Sequence, residues 1–260
     1  RWLPPLIDLV KQGRINLSVT DIVDREVPEG TLFINKSRCS ESVYEKVRQD
    51  AEVAIVVTSN DTHVPIALSY PEKTTILIDK PLSTNIEDGQ RLLGHSNVHV
   101  IDHYMSKSQN LIPPAEGKEI HFFLCESVLV EPMRLYTLQK GMIEDLLHHC
   151  LACVCEYVSG VSGNTLLSVL ENMSVIRATN FQYKPRPANP YYGDTSSVLI
   201  FQYLDYEIEM VLGKGLDREK KELIVGDLVV NYNQNTIFSK REKVGDLVSK
   251  PHQLILTNAL

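Results

Sequence analysis

No apolar run in this 260-residue chain approaches the ~18–20 residues that cross a bilayer, which excludes a transmembrane helix. Nor does a basic stretch followed by an apolar core open it, so the start does not read as a signal peptide. Basic charge is scarce. Lys and Arg number 26 against 33 Asp and Glu, a net charge of −7, and this argues against a nucleic-acid binder. Cysteines are few and odd in number: of the five, Cys150, Cys153 and Cys155 crowd one apolar stretch. A reduced, intracellular, cytoplasmic protein is the simplest reading. There is no internal repeat and no low-complexity segment, and no Met stands at position 1. Residues 1–13 read as a helix stopped by Gly13, feeding the alternating strand Ile15–Thr20. That is an α/β unit without its first strand, and we expect residues before Arg1.

Hydrophobic residues at 43% and charged residues at 23% describe an ordinary globular chain with a substantial core. At roughly 100–200 residues per domain, two domains are expected. Up to about residue 105, strands alternate with helices. Strands are expected at 31–34, 54–57, 75–78 and 98–101, with helices at 40–49, 64–69 and 86–93. The run Ala54–Val57 is apolar throughout, the mark of a parallel strand buried on both faces. Such alternation builds a parallel sheet with helices on both faces, and its ligands bind beyond the carboxyl ends of the strands.

Beyond residue 105 the pattern changes. A long apolar helix is expected over 142–158 and another over 165–172. Strands then follow one another at 196–203, 207–212, 222–225, 228–232 and 236–238, joined by turns such as Gly226-Asp227. Consecutive strands without crossover helices form an antiparallel sheet. The Pro-rich stretch 184–193 reads as a connecting loop over a pocket or an interface.

Four clusters of polar residues follow strands in the first domain: Asp21; Thr58, Ser59, Asn60 and Asp61; Asp79-Lys80-Pro81; and Asp102-His103-Tyr104. Lys80 can contact a ligand hydroxyl, or be an exposed lysine before a turn proline; Pro81 permits a cis peptide. The run Asp102–Lys107 gathers a carboxylate, an imidazole, a phenol and an ammonium, donors that suit a phosphate, or else forms a solvated turn. At the head of the apolar helix, Asp145 and His149 stack four residues apart, while His148 points about 100° away. A histidine beside a carboxylate serves as a general base near neutral pH; a structural histidine is the alternative. Positions 148, 149 and 150 diverge around the helix, so no metal ion is expected. Lys214 lies between Gly213 and Gly215 at a sheet edge, a solvated turn when read alone.

Taken in order, these pieces resemble the glucose-6-phosphate dehydrogenases. Asp79-Lys80-Pro81-Leu82-Ser83 is similar to that family's Glu-Lys-Pro-Phe-Gly, and Ile101–Lys107 to its Ile-Asp-His-Tyr-Leu-Gly-Lys. Gln109-Asn110-Leu111 follows slightly early. Gly141–Asp145 resembles Gly-Ile-Ile-Arg-Asp, and Gly213–Lys220 resembles Gly-Lys-Ala-Leu-x-Glu-Arg-Lys. The departures are a shorter chain, where family members run nearly twice its length, and the base position. The family's histidine falls five residues after the helix Asp, where Cys150 stands. His149 instead has the Asp-x-x-x-His spacing of the sugar and inositol dehydrogenases of the Gfo/Idh/MocA superfamily.

The resemblance implies an α/β plus α+β fold. A Rossmann-type domain over 1–105 would be followed by a substrate domain over 106–260 with an open antiparallel sheet. It implies NAD(P)-dependent oxidation of a sugar phosphate, with an unphosphorylated sugar or polyol, or a non-catalytic sensor, as alternatives. His149 would take the hydroxyl proton, Asp102 or Asp145 would orient it, and Lys80 would bind the reacting hydroxyl and the cofactor. His103, Tyr104, Lys107 and Lys214 would grip the phosphate. Thr58, Ser59, Asn60, Asp79, Lys80 and Pro81 would line the cofactor, and a homodimer or homotetramer would form through the C-terminal sheet. In such domains an acid ending the second strand accepts the ribose hydroxyls, whereas an Arg favours a 2′-phosphate. Asp21, with Asp24 as substitute, points to NAD; Arg25 beside Asp24 is the residue that would favour NADP.

Overall fold

The computed structural model describes all residues except 1, 23, 25, 84, 93, 109–110, 127–141, 182–195, 215–218 and 260. In chain order its first elements are α1 (Leu3–Lys11), β1 (Leu17–Asp21), β2 (Thr31–Asn35), α2 (Glu41–Asp50), β3 (Val53–Val56), α3 (Asn60–Leu68), β4 (Thr75–Asp79), α4 (Ile86–Arg91) and β5 (Val98–Ile101). There follow α5 (His103–Ser108), β6 (Glu119–Glu126), α6 (Met142–Ser162), α7 (Leu166–Asn172), β7 (Ser174–Phe181), β8 (Ser196–Tyr203) and β9 (Tyr206–Lys214). The last are β10 (Lys220–Val225), β11 (Leu228–Asn231), β12 (Thr236–Ser239), β13 (Glu242–Asp246) and α8 (Pro251–Ala259). The chain divides into two compact units, Arg1–Ile101 with Lys250–Leu260, and Asp102–Ser249.

In the first unit β1 pairs in parallel with β2, and β3-β4-β5 form a second parallel sheet. β4 takes the middle position because Ile76, Leu77 and Ile78 are all buried, as a strand covered on both faces requires. Prolines in the first turn of α1 cost no helical hydrogen bond, and Gly13, with φ +67°, ends the turn after it. Asn85 caps α4 by accepting from the Glu87 N–H. One cluster joins both sheets: Trp2 and Leu6 of the N-terminal helical segment and Leu256 of α8 are buried, with Leu17, Ile55 and Ile101 against them. Partition of the sequence near residue 105 put 250–260 in the second domain; the buried Leu256 instead makes α8 part of the first unit.

In the second unit one sheet carries eight strands in the order β13-β12-β11-β10-β6-β9-β8-β7. β6 lies at its centre and runs parallel to β9, so the sheet is mixed where consecutive strands alone implied an antiparallel one. Alternation buries one side: Ile120, Phe122 and Leu124 of β6, Ile208, Met210 and Leu212 of β9, and Leu223 and Val225 of β10. Cys150, Cys153, Val154 and Val158 of α6 join them in one core. The apolar length of α6 is thereby accounted for by the core, and among the described residues no single helix is long and apolar enough to cross a membrane. The turn after β10 requires glycine, since Gly226 has φ +53° and a Cβ there would fall 2.3 Å from the Glu116 carbonyl oxygen.

The architecture is a Rossmann-like parallel-sheet unit, as the alternation of strands and helices implied, followed by a mixed sheet with helices. It fixes the thiols too. Burial pushes the Cys150 and Cys153 thiols well above their usual range and Cys155 up to about 11. A disulfide-exchange titration at pH 8 should count one fast thiol in the native protein, the partly exposed Cys39, and five after denaturation.

Candidate functional site

The second unit begins at Asp102, immediately after β5 ends. Its short carboxylate caps α5: Oδ1 accepts the backbone N–H of Tyr104 at 2.8 Å and of Met105 at 3.1 Å. Thus Asp102–Lys107, which the sequence allowed as a solvated turn, is a capped helix. Oδ2 of the same carboxylate accepts from Nδ1 of His149 in α6. Both partners are buried, Asp102 at 6% and His149 at 2% exposure. With Nδ1–H held by an acceptor, the remaining basic atom of the neutral imidazole is Nε2. The His103 and Tyr104 rings meet the His149 ring edge-on, at centroid distances of 5.0 and 4.8 Å.

The sequence left Asp102 and Asp145 as alternative partners for the imidazole. The geometry pairs Asp102 with His149, whereas Asp145 accepts from the Lys214 ammonium. The Lys214 side chain is 5% exposed, and Glu126 Oε2 lies 3.8 Å from its Nζ. Glu126 in turn faces Lys221 at 3.3 Å, and Lys221 also pairs with Glu219 at 2.6 Å. Burial works against the Lys221 charge, but Glu219, Tyr104 and Glu126 outweigh it and hold that ammonium above its ordinary range. Lys107 points elsewhere: its Nζ donates to the Tyr232 carbonyl at 3.2 Å and to Asn235 Oδ1 at 2.8 Å. Sequence reasoning missed Glu126, Glu219 and Lys221, although strand alternation around 119–126 and 220–225 was a signal that could have grouped them.

His148 does not diverge as far from His149 as helical spacing suggested. Their rings lie 4.4 Å apart, and ligand atoms of Asp102, His148 and His149 fall within 4.8 Å of one another. Tetrahedral zinc ligands at ~2.0–2.1 Å from the ion stand about 3.3 Å apart. Since Asp102 already accepts from Tyr104, Met105 and His149, an ion would have to displace the His149 hydrogen bond. Cys150 is fully buried in the core.

In the first unit Asp21 is the last residue of β1, aligned with Asn35 of β2. Asp24 accepts from Asn35 Nδ2 at 2.7 Å and pairs with Arg38 at 2.6 Å, both side chains exposed. Thr58 and Ser59 lie between β3 and α3, and Asn60 is the first residue of α3. The Thr62 hydroxyl lies 2.7 Å from both Thr58 Oγ1 and the Ser59 carbonyl. Asp79 ends β4 and accepts the Lys80 N–H at 3.0 Å, and the Lys80–Pro81 peptide is cis. Asp21 thus ends β1 in one parallel sheet, while Thr58 and Lys80 follow β3 and β4 in the other; open sheets of this kind bind ligands beyond the carboxyl ends of their strands. Arg25, Gln109, Asn110, Gly141, the 184–193 stretch and 215–218 lie outside the described residues.

No protein-family model and no curated protein matches the chain. Solved structures do match in fold. A glucose-6-phosphate dehydrogenase in complex with glucose 6-phosphate is 13% identical, with a TM-score of 0.70 over 99% of this chain and 82% of that one. A UDP-N-acetylglucosamine 3-dehydrogenase from Acidithiobacillus ferrooxidans is 14% identical, with a TM-score of 0.61 over 88% and 78%. A myo-inositol dehydrogenase from Corynebacterium glutamicum is 12% identical, with a TM-score of 0.60 over 88% and 67%.

Asp102→Ala should cost about 2–4 kcal/mol, the sum of ~1 for the lost cap and ~1–3 for the buried imidazole left without its acceptor. Asp102→Asn keeps an oxygen for the cap and should cost less. Chemical denaturation of the two variants separates the contributions; equal losses would mean that the cap adds nothing. The chain shares the fold of these solved dehydrogenases.

Proposed function

We propose that the protein oxidises a hydroxyl of a sugar or sugar-derived polyol, passing hydride to a nicotinamide cofactor, with His149 as general base. The observation that carries this is the buried His149–Asp102 pair. Asp102 fixes the ring's tautomer and favours the cation formed when Nε2 takes the hydroxyl proton. The cofactor supplies the hydride acceptor. Asp21 is assigned to the adenine ribose, and Thr58, Ser59, Asn60, Asp79, Lys80 and Pro81 to the rest of the nucleotide, with Asp24 as the reserve. Lys80 is also assigned to the reacting hydroxyl. An acid at the end of β1 favours NAD over NADP.

The substrate is an unphosphorylated sugar or polyol in this reading. Both lysines that a phosphate would need have internal partners: Lys107 holds Tyr232 and Asn235, and Lys214 is buried against Asp145 and Glu126. His103, whose ring meets that of His149 edge-on, is assigned to the sugar ring, with Tyr104 packed behind it. A sugar phosphate remains the second reading, carried by the Ile101–Lys107 motif. Homodimers or homotetramers would use the sheet face opposite α6, where Phe123, Val198 and Ile200 are only half-buried. The five cysteines are free thiols, which suits the reducing cytoplasm.

His149→Asn should lower turnover by about 10²–10⁴-fold while NAD binding persists, and His148→Asn should stay active; the reverse pattern would sink the assignment. The substrate is decided by comparing kcat/KM for glucose 6-phosphate with glucose and myo-inositol, each with NAD and NADP. The expected result is turnover of an unphosphorylated substrate with NAD. If glucose 6-phosphate is preferred, and Lys107→Ala raises its KM by about tenfold or more as loss of a charged contact implies, the phosphate reading replaces ours. Cofactor binding with no turnover of any sugar would favour a sensor.

A further inference from the structure

His148 directly precedes His149 in α6 and takes no part in the proposed reaction. Helical spacing sends neighbouring side chains about 100° apart. The two imidazoles nevertheless converge, with ring centroids 4.4 Å apart and planes inclined at 43°. One ligand atom from each of Asp102, His148 and His149 lies within 4.8 Å of the other two. All three residues belong to the second unit. Two imidazoles and a carboxylate are a donor set that suits Zn²⁺.

The Asp102 carboxylate can serve an ion without giving up its cap. Oδ1 is committed to the Tyr104 and Met105 N–H groups, and Oδ2 to Nδ1 of His149. An ion at this place takes Oδ2 and, once the Nδ1 proton has moved to Nε2, the Nδ1 lone pair. A ring nitrogen of His148 is the third ligand and a water the fourth, a tetrahedral set with three protein donors. Zinc draws such donors to about 3.3 Å from one another, so the half-buried His148 ring has to turn inward. The proton balance closes, because the neutral imidazole keeps its single N–H, now at Nε2. We infer that Asp102, His148 and His149 form an inhibitory zinc site, which silences the base by holding its Nδ1 rather than by covering the substrate. Binding follows from the ligand geometry. The inhibition rests on the general-base role proposed for His149.

The test uses the full chain, first freed of metal with a chelator. Calorimetric titration with Zn²⁺ should find a site in the wild type that His148→Asn weakens by at least ~10–100-fold, the loss that follows removal of even an outer partner of a metal. His148→Gln replaces that variant if it does not fold. Equal affinity in wild type and folded variant, or no zinc binding by the wild type, overturns the site. In turnover assays Zn²⁺ should lower the wild-type kcat over the range in which it binds, and chelation should restore it. The folded His148 variant should keep its kcat at the same Zn²⁺ concentration. Relief by saturating sugar would put the ion on the substrate side of the ring and overturn the Nδ1 site. Zinc that binds through His148 and leaves kcat unchanged overturns the inhibition. If the wild type oxidises no sugar with NAD or NADP, the general-base reading falls and the inhibition with it, and calorimetry alone decides the site.

Discussion

The Asp102 carboxylate is the constraint on which the second unit's site depends. One oxygen starts α5 and the other holds the His149 ring, so a single side chain links the strand-end segment to the long core helix. Because α5 begins at once, Tyr104 and Ser108 fall on its buried side, and the Ser108 hydroxyl meets Glu156 of α6 at 3.1 Å. Lys107 fastens the same short helix to the turn between β11 and β12. A six-residue helix is too short to be stable by itself; here side-chain bonds to its surroundings hold it in place.

In the second unit two buried groups meet acids or bases of opposite sign, Asp102 with His149 and Lys214 with Asp145 and Glu126. Asp145 lies one helical turn before His149, yet Lys214 takes it, and Glu126 stands between Lys214 and Lys221. Removing one member of such a set costs more than the set contributes as a whole, because it leaves a desolvated charge behind. The network therefore separates the two acids near the imidazole into distinct tasks, one aligning the ring and one neutralising a lysine. The chemistry available at His149 is set by its neighbours on α5 as much as by its own helix.

The fold was legible where periodicity is local. The apolar run around Ile55 and Ile78, the alternation of Ser196–Tyr203 and the long stripe of α6 all announced themselves. β6 did not, because its partner β9 is remote in sequence and parallel pairing leaves no turn signal. α5 was hidden by its polarity, and α8 by a weakly amphipathic sequence. At the site, residue types and spacing narrowed the base to the head of α6, but the choice of Asp102 over Asp145 needed tertiary contacts. Glu126 and Lys221 lie on strands whose ends meet only after the sheet has formed.

Leu256 sits with Trp2 and Leu6 in a core that the first hundred residues cannot close by themselves. During synthesis, every strand of that unit has left the ribosome long before Leu256 does. At ~5–20 residues per second the wait is roughly 8–30 s. For that interval Trp2 and its neighbours have no Leu256 to cover them, while the entire second unit is being made. Of the two units, the one whose strands are made earlier is thus closed later, and until then its Trp2–Leu6 core stands open to chaperones.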